Sequence, residues 1–491
     1  MSKKTVLPAL CLLTVLLVSC GDTVSETPTL ETGNTAAEDV TSAESMESID
    51  PAYLSDLPEE YDLGGYEFVV LKQDMGQSSW QWNIFAPEEE SGDLQNDACF
   101  ARNSRISEQY NCVIREEIDP GPVGKLKNLA AAGDATYSAC IDPMSSVVNA
   151  AGGSFYDFYD LPNVNLKKTY WNQNMIDALT VRGSLYVLGG DILVTDDDCI
   201  EMTLYNHALA ADLDMENLYD AVGNGTWTFD KMVSMMKAAA ADLNGDSKVD
   251  LGDRVGLLYA DNAAAQPYFA GVGAQLFKIT DGEPAYTGSD DRAVRIFEIM
   301  NEIFTSPTLP MDWSNVPGWE GGASFSGMID NKQVLFVNMC LSLVRRFCRD
   351  VEVNFGLLPI PKLDEAQEGY ATCIHKDTHG IYVPVSVSDP EKTGFILEAL
   401  AAASTELSDV YYNVCMASKY TRDAESYDMV RLCLDNIVID PGFVFDWGGL
   451  GSAVTLGIAA GGKEYTSIAA SKQSSAEKAM QKFLDAVSTK E

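Results

Sequence analysis

The stretch that most constrains the fold runs from Tyr66 to Ile141, where strand-like and helix-like patterns alternate. Tyr66 to Leu71 is an apolar, aromatic-rich run after the Gly64-Gly65 turn, and a helical pattern follows from about Asp97 to Tyr110. Cys112 to Ile118 reads as a second strand, the Ala-rich segment 129–132 as the next helical region, and Thr136 to Ile141 as a third strand. Strand, helix, strand, helix, strand is the order of a parallel α/β layer. Ligands of such layers sit in the crevice outside the carboxyl ends of the strands.

The same pattern resumes further along. Met202 to Tyr205, Val255 to Tyr259, Val334 to Val337, Phe355 to Pro359 and Gly380 to Val385 read as strands, with Leu185 to Leu188 bracketed by Gly183 and the Gly189-Gly190-Asp191 turn. Helices are signalled at Thr228, a cap with Asp230 in the first turn, and from about Asp290 to Phe304 with Ser289 as cap. Asp389-Pro390-Glu391 starts another, and Ser474 to Glu477 forms a capping box for the last one. With 491 residues, two or more domain-sized units with large cores are expected.

Loops between these elements are rich in aromatic residues. Trp80 and Trp82 stand in SSWQWNIF, Tyr156 in GGSFYDFYD, and Trp171, Asp191, Trp313 and Trp319 in further loop segments. A sugar ring offers an apolar CH face and a rim of hydroxyls, which an indole beside carboxylates matches. These residues are the candidate ligand contacts, with ordinary packing as the alternative for each. The Asp196-Asp197-Asp198 run reads as a solvated loop. The three histidines show no metal spacing, and neither GxSxG nor a Walker-type loop occurs.

The most specific local signal is the loop from Asp242 to Asp253. Asp242, Asn244, Asp246, Asp250 and Asp253 occupy positions 1, 3, 5, 9 and 12, with the Lys248 carbonyl at position 7, an oxygen-ligand spacing suited to Ca²⁺. Gly245 is at position 4 while Ser247 holds position 6, where Gly is usual, so the turn is made differently. A structural Ca²⁺ is expected here. The chain carries 33 Lys+Arg against 73 Asp+Glu, a formal net charge of -40, which argues against nucleic acid as a partner and fits solubility on an outer surface.

The N-terminus has Lys3 and Lys4, an apolar run from Val6 to Val18, and Leu17-Val18-Ser19-Cys20-Gly21. This resembles a bacterial lipoprotein signal, which implies lipidation at Cys20 and anchoring on the extracellular face of the cell membrane. Residues 1–19 are then the signal peptide and 20–60, rich in Ser, Thr and Glu, a disordered tether. Nine further cysteines are dispersed without a CxxC pair and read mainly as small buried residues, with disulfides unassigned.

Together with that signal, YNHALAADLDMENLYDAVGNGTWTFDKM at 205–232, the acidic loop, NFGLLPIPKLDEAQEGYAT at 354–372 and DPEKTGFILEALAA at 389–402 resemble the extracellular solute-binding proteins of family 1. The resemblance implies an α/β, two-lobed fold of the type II periplasmic-binding-protein kind with hinge strands between lobes, residues 61–165 plus 333–375 forming one lobe and 166–332 plus 376–491 the other. It implies a monomeric receptor, not an enzyme, that presents a small solute, such as a mono- or oligosaccharide, to ABC permease subunits. Position by position it makes Trp227 a structural helix start, and adds Tyr370 and Trp447 as neighbours of the ligand. The alternatives from the residues are a surface glycoside hydrolase and a calcium-dependent adhesion or scaffold lipoprotein.

Overall fold

A computed structural model describes residues 54–75, 80–82, 84–260, 265–316 and 323–487. The signal stretch, Cys20, most of the expected tether and Trp319 lie outside the described residues. The strands are β1 (Tyr66–Gln73), β2 (Cys112–Asp119), β3 (Ala139–Pro143), β4 (Glu201–Tyr205), β5 (Val255–Tyr259), β6 (Phe277–Thr280), β7 (Glu283–Tyr286), β8 (Pro310–Asp312), β9 (Val334–Cys340), β10 (Gly356–Leu358) and β11 (His379–Tyr382). They form two main sheets, of order β11-β3-β1-β2 and β10-β4-β9-β5-β8, and the hairpin β6-β7.

In the first sheet β1 is parallel to both β2 and β3, as the alternation predicts, and β11 closes the edge antiparallel to β3. The helix Leu94–Tyr110 between β1 and β2 begins earlier than its apolar pattern, because Asp93 accepts from the Gln95 and Asn96 N–H groups. In the second sheet β5 is parallel to β8 and β9, whereas β4 and β10 run antiparallel to their neighbours. Core strands β4, β5, β9 and β10 are buried at every position, which is why they read as apolar runs without alternation.

The sheet pairings cut across the expected division of the chain. β9 and β10, from the segment assigned to the first lobe, pair in the second sheet, and β11, from the segment assigned to the second lobe, pairs in the first. The chain crosses between the sheets where Ile200 bridges Ile374, with Glu201 N–H donating to the Cys373 carbonyl at 2.9 Å and His375 N–H to the Cys199 carbonyl at 3.0 Å. Two crossing segments side by side place strand partners of one sheet close in sequence to those of the other, so sequence proximity misassigns them.

Local signals fail at three further points. Leu185 to Leu188 is buried but forms only one bridge, Leu188 to Ile381. The last helix runs from Tyr465 to Ala486, so Ser474 lies inside it; burial of Tyr465, Ile468 and Ala469 extends the helix past the local cap signal. Asp290 rather than Ser289 caps the helix Asp291–Thr305. The expected tether also ends early: Asp56 accepts from Lys168 at 2.8 Å and from Asn165 at 2.7 Å, which fixes residues 54–60 on the body.

Candidate functional site

The carboxyl ends of β1 and β3 lie at one edge of the first sheet, and β11 starts at that edge, since His379 pairs with Pro143. The parallel strands β5 and β9 likewise point their carboxyl ends at the crossing segment. The helix Gln266–Gly271, which comes after β5, places Gln266 there: its Nε2 donates to the Ile374 carbonyl at 2.9 Å and its Oε1 accepts from Lys376 N–H at 3.0 Å. Strand ends from both sheets thus converge on residues 374–379, the position at which α/β sheets hold ligands.

Trp80 and Trp82 stand at this convergence, half-buried. Between them Gln81, 3% exposed, donates to the Asp377 carbonyl at 2.7 Å and accepts from His379 N–H at 2.9 Å, and so clamps the loop. Trp80 packs edge-on against His375 with ring centroids 4.8 Å apart. Trp82 donates its backbone N–H to Asp198 at 3.2 Å, and the Arg345 guanidinium lies 5.8 Å from its ring centroid.

Polar groups ring the two indoles. Lys376 Nζ and Ser145 Oγ each donate to Asp377 at 2.6 Å. Burial works against the Asp377 carboxylate, but His375, Lys376 and Ser145 outweigh it and hold its pKa below the ordinary value. On the other flank Arg345, from the helix Leu341–Phe347 after β9, bridges to Asp198 at 2.9 Å, and the Tyr411 hydroxyl donates to the same carboxylate at 2.9 Å. Burial pushes His375 and His379 down to about 4, so both rings are neutral at physiological pH and serve as packing and hydrogen-bonding groups.

The remaining sequence candidates separate by place. Trp313 follows β8 at the same carboxyl edge of the second sheet, half-buried and edge-on to Phe325 at 5.7 Å. Tyr156 bonds through its N–H to the Val383 carbonyl at 2.7 Å, which puts it at the opposite end of the first sheet from Trp80. Trp171 and Trp447 are each 1% exposed: the first donates to Glu398 at 3.0 Å, the second stacks on Phe445 at 4.6 Å, so both are core residues and not ligand contacts. Tyr370 is also core, accepting from Trp227 N–H at 3.2 Å, while Trp227 itself is buried and donates to the Pro359 carbonyl at 2.9 Å.

Asp191 is half-buried in the turn leading to Asp198, and burial pushes it up to about 7. The aspartate run beside it is not solvated: Asp196 is 3% and Asp198 0% exposed. Asn172, Arg345 and Tyr411 supply the hydrogen bonds that water would otherwise give. Asp198, Arg345 and Asp377 escaped the sequence reading because each is an ordinary charged residue whose partners arrive from far along the chain.

The acidic loop is closed by an antiparallel bridge between Ala241 and Arg254. Asp242 accepts from Gly245 N–H at 2.6 Å and from Ser247 N–H at 2.9 Å, and Asp253 accepts from Leu243 N–H at 2.9 Å and Asp250 N–H at 3.1 Å. The turn is made with φ +79° at Gly245 and +63° at Ser247. Carboxylate oxygens of Asp242, Asp246 and Asp253 lie within 4.8 Å of one another. Asn244 instead donates to Asp250 at 3.2 Å, and Lys248 N–H donates to Asp246 at 2.8 Å.

No family model and no curated protein matches the chain. Solved structures do. An ABC substrate-binding protein of Listeria monocytogenes in complex with cycloalternan matches with a TM-score of 0.54 at 13% identity, over 86% of this chain and 98% of that one. The cyclic alpha-maltosyl-1,6-maltose binding protein of Arthrobacter globiformis matches with a TM-score of 0.54 at 14% identity, over 85% and 100%. The maltose/maltodextrin-binding domain MalE of Bdellovibrio bacteriovorus bound to maltotriose gives 0.53 at 10%, over 84% and 100%. The chain therefore has the two-lobed α/β periplasmic-binding-protein fold of the ABC substrate-binding proteins that it matches.

Proposed function

We propose that the protein is a surface-tethered solute-binding protein that takes up an oligosaccharide between its lobes and hands it to the permease of an ABC importer. The observation that carries this reading is the position of Trp80 and Trp82, two half-buried indoles, where strand ends of both sheets converge and where Asp377, Lys376, Ser145 and Arg345 form a polar rim, Arg345 being held by the buried Asp198. Indoles bind the CH faces of sugar rings, and the rim matches their hydroxyls. The matched structures named for cycloalternan, cyclic alpha-maltosyl-1,6-maltose and maltotriose support the class of solute. The arrangement binds and orients; it needs no bond to be broken.

The N-terminal signal supports anchoring through a lipid on Cys20. Among the described residues no helix is long and apolar enough to cross a membrane. The acidic loop supports a structural Ca²⁺ held by Asp242, Asp246 and Asp253, fixing the turn from the helix Phe229–Ala239 into β5.

Titration calorimetry with maltotriose, maltotetraose and a cyclic glucan tests the reading. Binding without any product by chromatography is expected; turnover, or no binding to any glucan, overturns it. Trp82→Ala should weaken binding by about 2 kcal/mol, roughly 30-fold. Trp447→Phe, in the core, should lower stability and leave affinity unchanged.

A further inference from the structure

The turn from Asp191 to Asp198 packs four aspartates against residues 405–416, yet among the described residues only one of them meets a cation. Asp198 is bridged by Arg345 at 2.9 Å. Asp196, 3% exposed, accepts from Asn172 at 2.7 Å through Oδ2, while its Oδ1 has no well-formed hydrogen bond among the described residues. Asp197 lies beside the Tyr412 hydroxyl, and Asp191 beside Ser408, whose buried Oγ has no well-formed hydrogen bond among the described residues.

The charged groups on the surrounding elements do not neutralise them. Asp409 adds a further negative charge. Arg102, from the helix Leu94–Tyr110, spends its guanidinium on the Ile192 carbonyl at 3.0 Å and the Ser404 hydroxyl at 2.9 Å. Glu398, from the helix Pro390–Ala402, is bonded to Tyr170 and Trp171, and Arg346 lies over Phe347. Asp196 is buried and Asp191 and Asp197 are half-buried, so ionising the three together would set three neighbouring negative charges in this turn with no cation beside them among the described residues.

We propose that Asp191, Asp196 and Asp197 hold protons in the folded protein and form a proton-held clasp, fastening residues 405–416 to the turn that supports Trp82. Burial raises all three carboxyls above their ordinary value, and repulsion from Asp196 adds to it at Asp191 and Asp197, in agreement with the geometry. The sign follows. The folded state binds protons that the unfolded chain, with ordinary aspartates, has already lost, so unfolding near pH 6 releases protons. Stability falls as pH rises from about 4 through the raised values. Above them the ionised carboxylates repel, Tyr411 and Tyr412 loosen, and Asp198 loses its hold on the Trp82 backbone.

The test uses no solute and so stands apart from the transport reading. Calorimetric unfolding of the mature chain at about pH 6, in buffers of high and low ionisation heat, counts the protons released. Asp196→Asn and Asp197→Asn should each lower the number of protons released and flatten the fall of Tm as pH rises above about 4. Should either fail to fold, Asp191→Asn at the half-buried edge carries the same test. Unchanged proton release in these variants overturns the clasp. So does a Tm that drops on adding chelator only while Asp191, Asp196 and Asp197 are intact, which would make the cluster a cation site.

Discussion

Arg345→Met is the most informative single substitution. It removes the cation that faces Asp198, a carboxylate with 0% side-chain exposure, from a bridge of 2.9 Å. Breaking one side of a buried pair costs about 3–5 kcal/mol because a buried charge is left behind. Two hydrogen bonds remain on Asp198, from Tyr411 at 2.9 Å and Trp82 N–H at 3.2 Å, and Arg345 is 20% exposed, so the lower end applies. Losing the cation over the Trp82 ring adds about 0.5–1 kcal/mol. Urea unfolding should therefore show a loss of about 3.5–4 kcal/mol. Asp198→Asn is the control: the amide oxygen still accepts from Trp82 N–H, its NH2 can donate to the Tyr411 hydroxyl oxygen, and the freed guanidinium can turn to water, so the single variant loses less. In the double variant the two effects should fall short of additivity by about 2 kcal/mol. An Arg345→Met protein within about 0.5 kcal/mol of wild type, or strictly additive effects, would refute the bridge as the link between the helix Leu341–Phe347 and the Trp82 loop.

Further outcomes follow from two other parts of the molecule. Ca²⁺ at about 100 times its dissociation constant should stabilise the protein by about 2.7 kcal/mol, an effect that Asp253→Ala abolishes. Ser247→Gly, which relieves the left-handed φ of +63°, should add about 1 kcal/mol by thermal unfolding; no response to Ca²⁺ in either protein defeats the calcium loop. The nine cysteines among the described residues are all buried and unpaired, and burial pushes Cys112 up to about 11, so a thiol reagent should find none of them in the native protein and all nine after denaturation without reductant. A thiol count near zero on denaturation would show disulfides instead.

How much was legible in the chain depended on the range of the interaction. β1, β2 and β5 were readable because their side chains alone set the pattern, and Thr228 was readable as a cap because it bonds Lys231 N–H one turn away. The hairpin β6-β7 carries its signal in Asp281-Gly282, with φ +52° and +79°, although its strands have only four residues each. Trp80 and Trp82 stood out as candidates because loop tryptophans are few. Their partners were not: Asp198 and Arg345 are 147 residues apart, and Gln81 reaches Asp377 across 296. Trp171 and Trp447 look the same as Trp82 in sequence, and only the packing of Glu398 and Phe445 against them removes them from the site.

The acidic composition also divides once the fold is known. A formal charge of -40 suggests a uniformly solvated surface. Several of the acids instead work inside. Asp440 accepts from Gly442 N–H at 2.7 Å and from Phe277 N–H at 3.2 Å, joining the β6 end to the helix Pro441–Val444, and burial nevertheless pushes it up to about 7. Burial does the same to Glu201, which takes the Cys340 thiol at 3.0 Å where the chain crosses between sheets. Such carboxyls have two stable uses, as neutral acids or as charges matched by a cation, and the chain uses both within one turn: Asp196 in the first way, Asp198 in the second. The contrast follows from one neighbour. Arg345 reaches Asp198 and not Asp196, so the buried carboxylate that holds Arg345 at the rim of the proposed solute site stays paired while those behind it are left to protons.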